Sequence, residues 1–348
     1  MPRQPPEIQT LYAELSERLA AYEAARSFSS LKGGFVMKRI SGADYWYFKT
    51  SAAPAGQREY SGGADTPATR AVIEAYQKDR AAVAEVQSNI VRLCALLRQG
   101  GAMVSDTVSA KVIYGLASAG VFRLGGVLVG THAFVALGNV LGVRWQSSLS
   151  PQDIDILANP VLEVAIGAVE ADLPATLESL NRGFLPVPGL DPRRADTSFH
   201  VRGKTLRVDL LTPARGKRTG APVRIPRLKA LAQPLEFLDY LLEAPVDVPI
   251  INGGATMVKV PDPARFALHK LIVSMNRPVT QQTKSAKDRQ QAGELIEVLM
   301  QDRPSDIELA AENINARRPG WRKRLKEGAA RLPDALSDAK QNILRLIT

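Results

Sequence analysis

VLVGTHAF (127–134), PQDIDILA (151–158) and LRVDLLTP (206–213) are the three segments that decide how this chain reads. The first is an apolar run that reaches Gly130-Thr131 and passes into AFVALGNVL (133–141), a strand turning into a helix. In the second, Asp153 and Asp155 stand two apart, so on a strand both carboxylates leave one face while Ile154 and Ile156 leave the other. In the third, Leu206, Val208 and Leu210 alternate with Arg207, Asp209 and Leu211, which puts Asp209 on the same face as Arg207. Carboxylates crowded on one half-buried face repel unless a cation lies between them, and oxygen-only ligands suit Mg²⁺ or Mn²⁺. If the third strand lies near the second, three acids converge, the arrangement that in-line transfer of a nucleotidyl group requires. Gly130-Thr131 offers free backbone N–H groups and a hydroxyl at a positive helix end, a phosphate-binding arrangement. Each signal alone is common, and a lone Asp-x-Asp is more often a solvated strand end. The specific feature is their order: apolar strand, Gly-Thr, helix, Asp-x-Asp strand, then a separate strand with one Asp.

Around these segments the middle third alternates strand-like runs with helical ones. LGGVLVG (124–130), DIDIL (153–157), TSFHVRG (197–203), TLRVDLLT (205–212) and PVRIPRL (222–228) are separated by AFVALGNVL and DLPATLESLNRG (172–183), a mixed α/β pattern. TMVKVP (256–261) reads as a last strand. Helices follow in ARFALHKLIVSMN (264–276), SAKDRQQAGELIEVLMQ (285–301), SDIELAAENINA (305–316) and the basic WRKRLKEGAARL (321–332). The proline-rich LPVPGLDP (185–192) reads as loop.

Upstream, ELSERLAAYEAARSF (14–28) places Leu15, Leu19, Tyr22 and Ala25 at helical spacing. GGFVMKRISGADYWYFKTS (33–51) and GQREYSGG (56–63) read as a hairpin plus a third short strand. There Lys38, Arg39, Lys49 and Arg58 flank Tyr45, Trp46, Tyr47 and Phe48, either a surface for a nucleic-acid backbone or rings packed on the neighbouring helix with solvated cations. Residues 66–99 form one long apolar-striped helix ending at Gly100-Gly101, and a second helix runs from about Asp106 to Ala119. The expected organisation is a helical region with a β-hairpin over 1–118, an α/β core with a mixed sheet over 119–260, and a helical region over 261–348.

Composition narrows the function classes. The chain has 348 residues, of which 45% are hydrophobic, and 45 Lys and Arg against 35 acids give a net charge of +10. A folded protein with a polyanionic partner, a nucleic acid or a triphosphate, fits that balance. Twelve basic residues (Arg182, Arg193, Arg194, Arg202, Lys204, Arg207, Arg215, Lys217, Arg218, Arg224, Arg227, Lys229) stand against three acids within 182–229, either a place for an RNA or DNA acceptor or a set of solvated loop ends. Cys94 is the only cysteine, so no intramolecular disulfide forms and a reducing, cytoplasmic setting is expected. With His132, His200 and His269 the only histidines, a structural zinc site lacks ligands. Residues 124–143 carry no charged side chain, but their glycines and polar residues suit a buried strand and helix better than a membrane span, and the N-terminus has no signal-peptide order. No P-loop, GxGxxG or GxSxG motif is present.

Val129-Gly130-Thr131, Asp153-Ile154-Asp155 and Asp209 together resemble the pattern of the DNA polymerase beta-like nucleotidyltransferase superfamily. VGTHAF, LGVRW, DIDI and VPDPARFALHKL look closer still to uncharacterised bacterial nucleotidyltransferase-fold proteins distantly similar to abortive-infection-type toxin transferases, over residues 11–299. The resemblance implies transfer of NMP from an NTP such as ATP to a hydroxyl acceptor, RNA such as tRNA or a protein. By the family pattern Asp153 and Asp155 would bind metal, Asp209 would complete the site and take the acceptor proton, and Gly130 and Thr131 would hold the triphosphate. Lys270, Arg277 and Lys287, on the helices after the core, would supply cations for the phosphates, with Lys270 on the helix surface as the rival reading. One departure is the long gap from Thr131 to Asp153, where LGVRWQSSLSP (141–151) carries substrate contacts through Arg144 or is simply a longer loop. The competing functions are a nucleic-acid-binding or regulatory protein that keeps the fold without activity, and a toxin or antitoxin with a partner protein from a neighbouring gene.

Overall fold

The computed structural model describes residues 1–25, 33–40, 42–50, 59–146, 153–160, 171–180, 184–186, 197–201, 206–214 and 220–347. The chain opens with α1 (Pro6–Ala25), an antiparallel sheet of β1 (Gly33–Ile40), β2 (Ala43–Thr50) and β3 (Glu59–Ala64), then α2 (Pro67–Gln99) and α3 (Thr107–Ser118). Local chemistry sets the helix starts. The Thr66 hydroxyl accepts from the Thr69 N–H with Pro67 at the first position of α2, and the Asp106 carboxylate accepts from the N–H groups of Val108 and Ser109.

The middle of the chain contributes β4 (Val127–Val129), α4 (Gly130–Val140), β5 (Asp153–Leu157), α5 (Leu173–Ser179), β6 (Phe184–Pro186), β7 (Ser198–Val201), β8 (Arg207–Pro213), β9 (Val223–Ile225), β10 (Ala230–Leu235), β11 (Val246–Ile251) and β12 (Ala255–Val260). A mixed sheet runs in the order β4-β5-β8-β10-β9, with β5 parallel to β8, β8 parallel to β10, and β4 and β9 antiparallel to their neighbours. The far edge of β8 is shared: its first half pairs with β7 and its second half with β10. PVRIPRL, expected as one strand, divides into β9 and a tight turn over Pro226–Leu228, because Lys229 takes a left-handed backbone that sends the chain back as β10. Within the expected proline-rich loop, Leu185 and Pro186 belong to β6, and the rest lies outside the described residues.

The C-terminal part is α6 (Pro263–Ser274), α7 (Gln282–Asp302), α8 (Pro304–Asn315), α9 (Pro319–Ala330) and α10 (Ser337–Leu346). Ile154, Ile156, Val208 and Leu210, the apolar faces of β5 and β8, are fully buried in one hydrophobic cluster that extends from Val112 on α3 to Ile343 on α10. Burial of each such side chain contributes about 1.5 to 3 kcal/mol, which fixes the register and turns Asp153, Asp155 and Asp209 to the opposite face. A second cluster joins α1 to α2 and includes Cys94, whose thiol burial pushes up to about 11.

Two rings of the N-terminal sheet pack on the neighbouring helix. Phe35, Phe48 and Tyr76 of α2 meet edge to face, and Trp46 Nε1 donates to Asp65. Its cations Lys38, Arg39 and Lys49 pair with Glu59, Asp44 and Glu59, while Arg58 lies outside the described residues. Among the described residues no helix is long and apolar enough to cross a membrane.

Candidate functional site

The sheet register assembles one wall of a cleft. Val129 lies opposite Asp155 across β4 and β5, and Asp155 lies opposite Asp209 across β5 and β8, so the end of the first segment and the two acids fall in one line. Asp153 stands opposite Arg207. Adjacent strands are about 4.8 Å apart, which brings the three carboxylates into one patch. Arg207 Nη2 lies 2.8 Å from Asp209 Oδ2 and 3.3 Å from Asp153 Oδ2, and Lys284 Nζ lies 3.5 Å from the same Asp153 oxygen. Ser198 on β7 donates its hydroxyl to Asp209 Oδ1. Among the described residues no three His, Cys, Asp or Glu side chains are gathered at metal-ligand spacing, and the Arg207 guanidinium pairs with two of these acids.

The electrostatics of this wall are uneven. Enclosure pushes the Asp155 carboxyl up to about 7, helped by the neighbouring negative charges of Asp209 and Asp153. Asp209 is raised for the same first reason, opposed by the Ser198 hydroxyl and by Arg207. Gly130 begins α4 with φ +70, and a Cβ at that position would collide with Asp155 Oδ2. Only glycine gives both the left-handed turn and the close approach of backbone to carboxylate.

The facing wall comes from α6 and α7. Lys270 Nζ lies 3.0 Å from Asp288 Oδ1 and Arg277 Nε lies 2.6 Å from Asp288 Oδ2. The Lys270 and Asp288 side chains are only 6% and 9% exposed, which overturns the reading of Lys270 as a solvated lysine on an amphipathic surface. Burial alone would raise Asp288, but Lys270 and Arg277 on either side hold it below the usual carboxylate range. Lys270 also sits 4.8 Å over the Phe266 ring.

The cleft between the walls has a volume of about 680 Å³ and is lined by Gly130, Asp153, Asp155, Asp209, Lys270 and Arg277 among others. Thr131 and Lys287 do not line it. Lys287, next to Asp288 on α7, is half-buried, its ammonium lowered by burial and by the nearby Lys270 charge. His269 lines the cleft, and its buried Nε2 has no hydrogen-bond partner among the described residues. Burial holds it neutral, with a pKa down to about 3. His132 is fully buried and lowered by burial to about 4, a core histidine rather than a group in the cleft. Arg144 donates to the Gly100 carbonyl, and Trp145 stacks on Phe134 at 4.4 Å, so this end of the insert ties it to the fold instead of reaching for a substrate. Of the basic residues in 182–229, only Arg207, Arg224, Arg227 and Lys229 are described; the others lie outside the described residues.

Asp288 was not singled out from sequence, although a signal existed. A lysine on a helix otherwise apolar around it, Phe266, Leu268, Leu271 and Ile272, must find an acid if it is buried, and the KD pair at 287–288 on the next helix supplies it.

A sheet register that lines up acids opposite a cationic helical wall makes this an α/β protein with a two-walled, charged cleft. The chain belongs to a nucleotidyltransferase family, whose profile matches residues 107–315 and so spans α3 through α8 with both walls. No curated protein matches it. An antigenic nucleotidyltransferase-like protein from Paracoccidioides brasiliensis, known from its crystal structure, is similar at 15% identity over 63% of this chain and 93% of that one, with a TM-score of 0.31.

Proposed function

We propose that this chain is a metal-dependent nucleotidyltransferase of the DNA polymerase beta-like type, moving NMP from a nucleoside triphosphate to a hydroxyl acceptor. The observation that carries the reading is the pairing of Asp155 with Asp209 across parallel strands, opposite the Lys270-Asp288-Arg277 cluster in the same cleft. Asp153, Asp155 and Asp209 present oxygen donors only, and the strand register brings them to one patch of the cleft wall, a donor set that suits Mg²⁺ or Mn²⁺. A divalent ion held by these three would supply Lewis-acid charge stabilisation at the transferring phosphate.

The remaining chemistry falls to the chain's own groups. Gly130, with Thr131 behind it, offers backbone N–H groups at the start of α4 for the triphosphate. Lys270 and Arg277, with Lys287 adding charge from α7, orient the phosphates and balance the charge of the leaving pyrophosphate. An acceptor oxygen bonds to the α-phosphorus in line as the bond from that phosphorus to the bridging oxygen breaks. The acceptor proton passes to the Asp209 carboxylate, and pyrophosphate leaves. The basic balance of the chain supports an RNA or DNA acceptor over a neutral one.

Calorimetric titration of an NTP with Mg²⁺ tests this directly. The parent binds the triphosphate only with the metal present, and Asp153→Asn and Asp155→Asn lose that metal dependence while keeping their circular dichroism. Metal-dependent binding by both variants equal to the parent's would refute the assignment.

A further inference from the structure

The cleft continues past the phosphate-facing wall to a rim where α6 ends. Asn276, one residue before Arg277, donates Nδ2–H to Glu236 Oε2 at 3.3 Å, and both residues are exposed lining residues of the cleft. The Asn276 amide is held in one orientation, because Arg324 of α9 donates Nε–H to its Oδ1. With its carbonyl taken and one N–H on Glu236, the amide has a second N–H to present.

The backbone beside Glu236 is built for that position. Phe237 holds a left-handed φ of 69, costly for a bulky residue, and is kept there by an edge-to-face contact with Trp321 at 4.6 Å and by the Arg324 guanidinium 5.2 Å over its ring. One arginine therefore holds the Asn276 amide and packs on the residue that follows Glu236. Between this pair and the acids the lining is apolar, with Leu211, Leu235, Leu238 and Val273, and Leu235 is 43% exposed. A flat ring laid on these side chains would bring its edge to Glu236 and Asn276.

We propose that Glu236 and Asn276 read the nucleobase and select guanine, an assignment that rests on the nucleotidyltransferase reading above. The pair offers a carboxylate acceptor beside an amide donor. Guanine presents the complement, N1–H and the 2-amino group as two donors for the carboxylate and O6 as an acceptor for the amide. Adenine and cytosine each offer one donor group to the carboxylate, and uracil offers only N3–H. Guanine alone engages the carboxylate through two nitrogens.

Calorimetry of the full chain with Mg²⁺ and GTP, ITP, ATP, CTP or UTP separates the outcomes. Because the pair is exposed, the expected GTP preference is about tenfold over ATP, CTP and UTP, well short of what a sealed polar site gives. ITP, which lacks the 2-amino group, falls between GTP and the others, and in Glu236→Gln the GTP affinity drops to their level. Equal binding of all the nucleotides, a preference for another base, or a GTP preference that survives in Glu236→Gln overturns the guanine assignment and leaves the triphosphate site standing. Failure of every nucleotide to bind overturns both.

Discussion

Asp155 and Asp288 face one another across the same cleft, and their surroundings act on them in opposite directions. Asp155 is enclosed among other acids and is pushed up to about 7, while Asp288 is buried between Lys270 and Arg277 and is held below the usual carboxylate range. Burial raises both, so the difference comes from the neighbours. The sheet wall has acids short of positive charge, and the helical wall has cations gathered on one acid. A metal ion relieves the first imbalance and a polyphosphate uses the second, and a nucleoside triphosphate with its metal brings both together.

The comparison breaks most visibly at Asp155. Asp155→Asn is expected to lower nucleotidyl transfer on the order of 10³-fold, the scale of losing several kcal/mol of transition-state stabilisation, while its Tm in EDTA at neutral pH stays level or rises. A variant that keeps the parent rate would mean that the sheet wall does not act on the reaction.

On the other wall the effect is on folding. Asp288→Ala leaves the Lys270 ammonium buried with its acid gone, and the expected loss is about 3 to 5 kcal/mol in urea denaturation. Unchanged stability would mean that the Lys270-Asp288-Arg277 cluster is not as closed as the distances indicate.

Proton linkage sharpens the contrast. The folded chain without metal holds an extra proton on Asp155 between the ordinary value of 3.8 and about 7, so the contribution of this group to stability is lost as pH rises through that window. Asp288 has the opposite sign: its contribution is present above the ordinary carboxylate pKa and is lost as pH falls through its depressed value. In EDTA, Asp155→Asn should therefore remove a decline of about 1 to 3 kcal/mol in stability between pH 4 and 7. Identical slopes in parent and variant would place Asp155 in ordinary solvent.

Gly130→Ala tests the turn that brings the backbone against Asp155. A side chain there takes a left-handed backbone and meets Asp155 Oδ2, and the expected cost is about 1 to 2 kcal/mol with a fall in transfer of about tenfold. The smallest effect belongs to the N-terminal sheet. Lys38→Ala removes an exposed pair with Glu59, and the transfer rate should stay within about twofold of the parent's. A larger drop would bring that sheet into acceptor binding.

The sheet wall was legible in the sequence because period-two alternation in DIDIL and LRVDLLT is enforced by burial of one face, so Ile154 and Val208 report where Asp155 and Asp209 point. Gly130 was legible from the strand-to-helix change. Strand pairing was not, since nothing local says that β8 shares its far edge between β7 and β10, and Pro249 inside β11 and Pro234 inside β10 hide two strands from propensity. The helical wall was half legible. Lys270 stands out, but Asp288 lies in a polar run whose composition reads as solvated, and only the packing of α6 on α7 brings the two together. The sequence leaves Arg144 open between a substrate contact and a plain loop, because its hydrogen bond to the Gly100 carbonyl is invisible without the fold.

The most direct test of the two-walled cleft is incubation of the purified chain with total RNA, Mg²⁺ and NTPs labelled at either the α- or the γ-phosphate, beside Asp155→Asn and Asp288→Asn. The account predicts that α-label moves to the acceptor, γ-label leaves as pyrophosphate, and both variants are impaired, Asp155→Asn the more severely. Transfer of γ-label to the acceptor, or undiminished α-label transfer by Asp155→Asn, would contradict it.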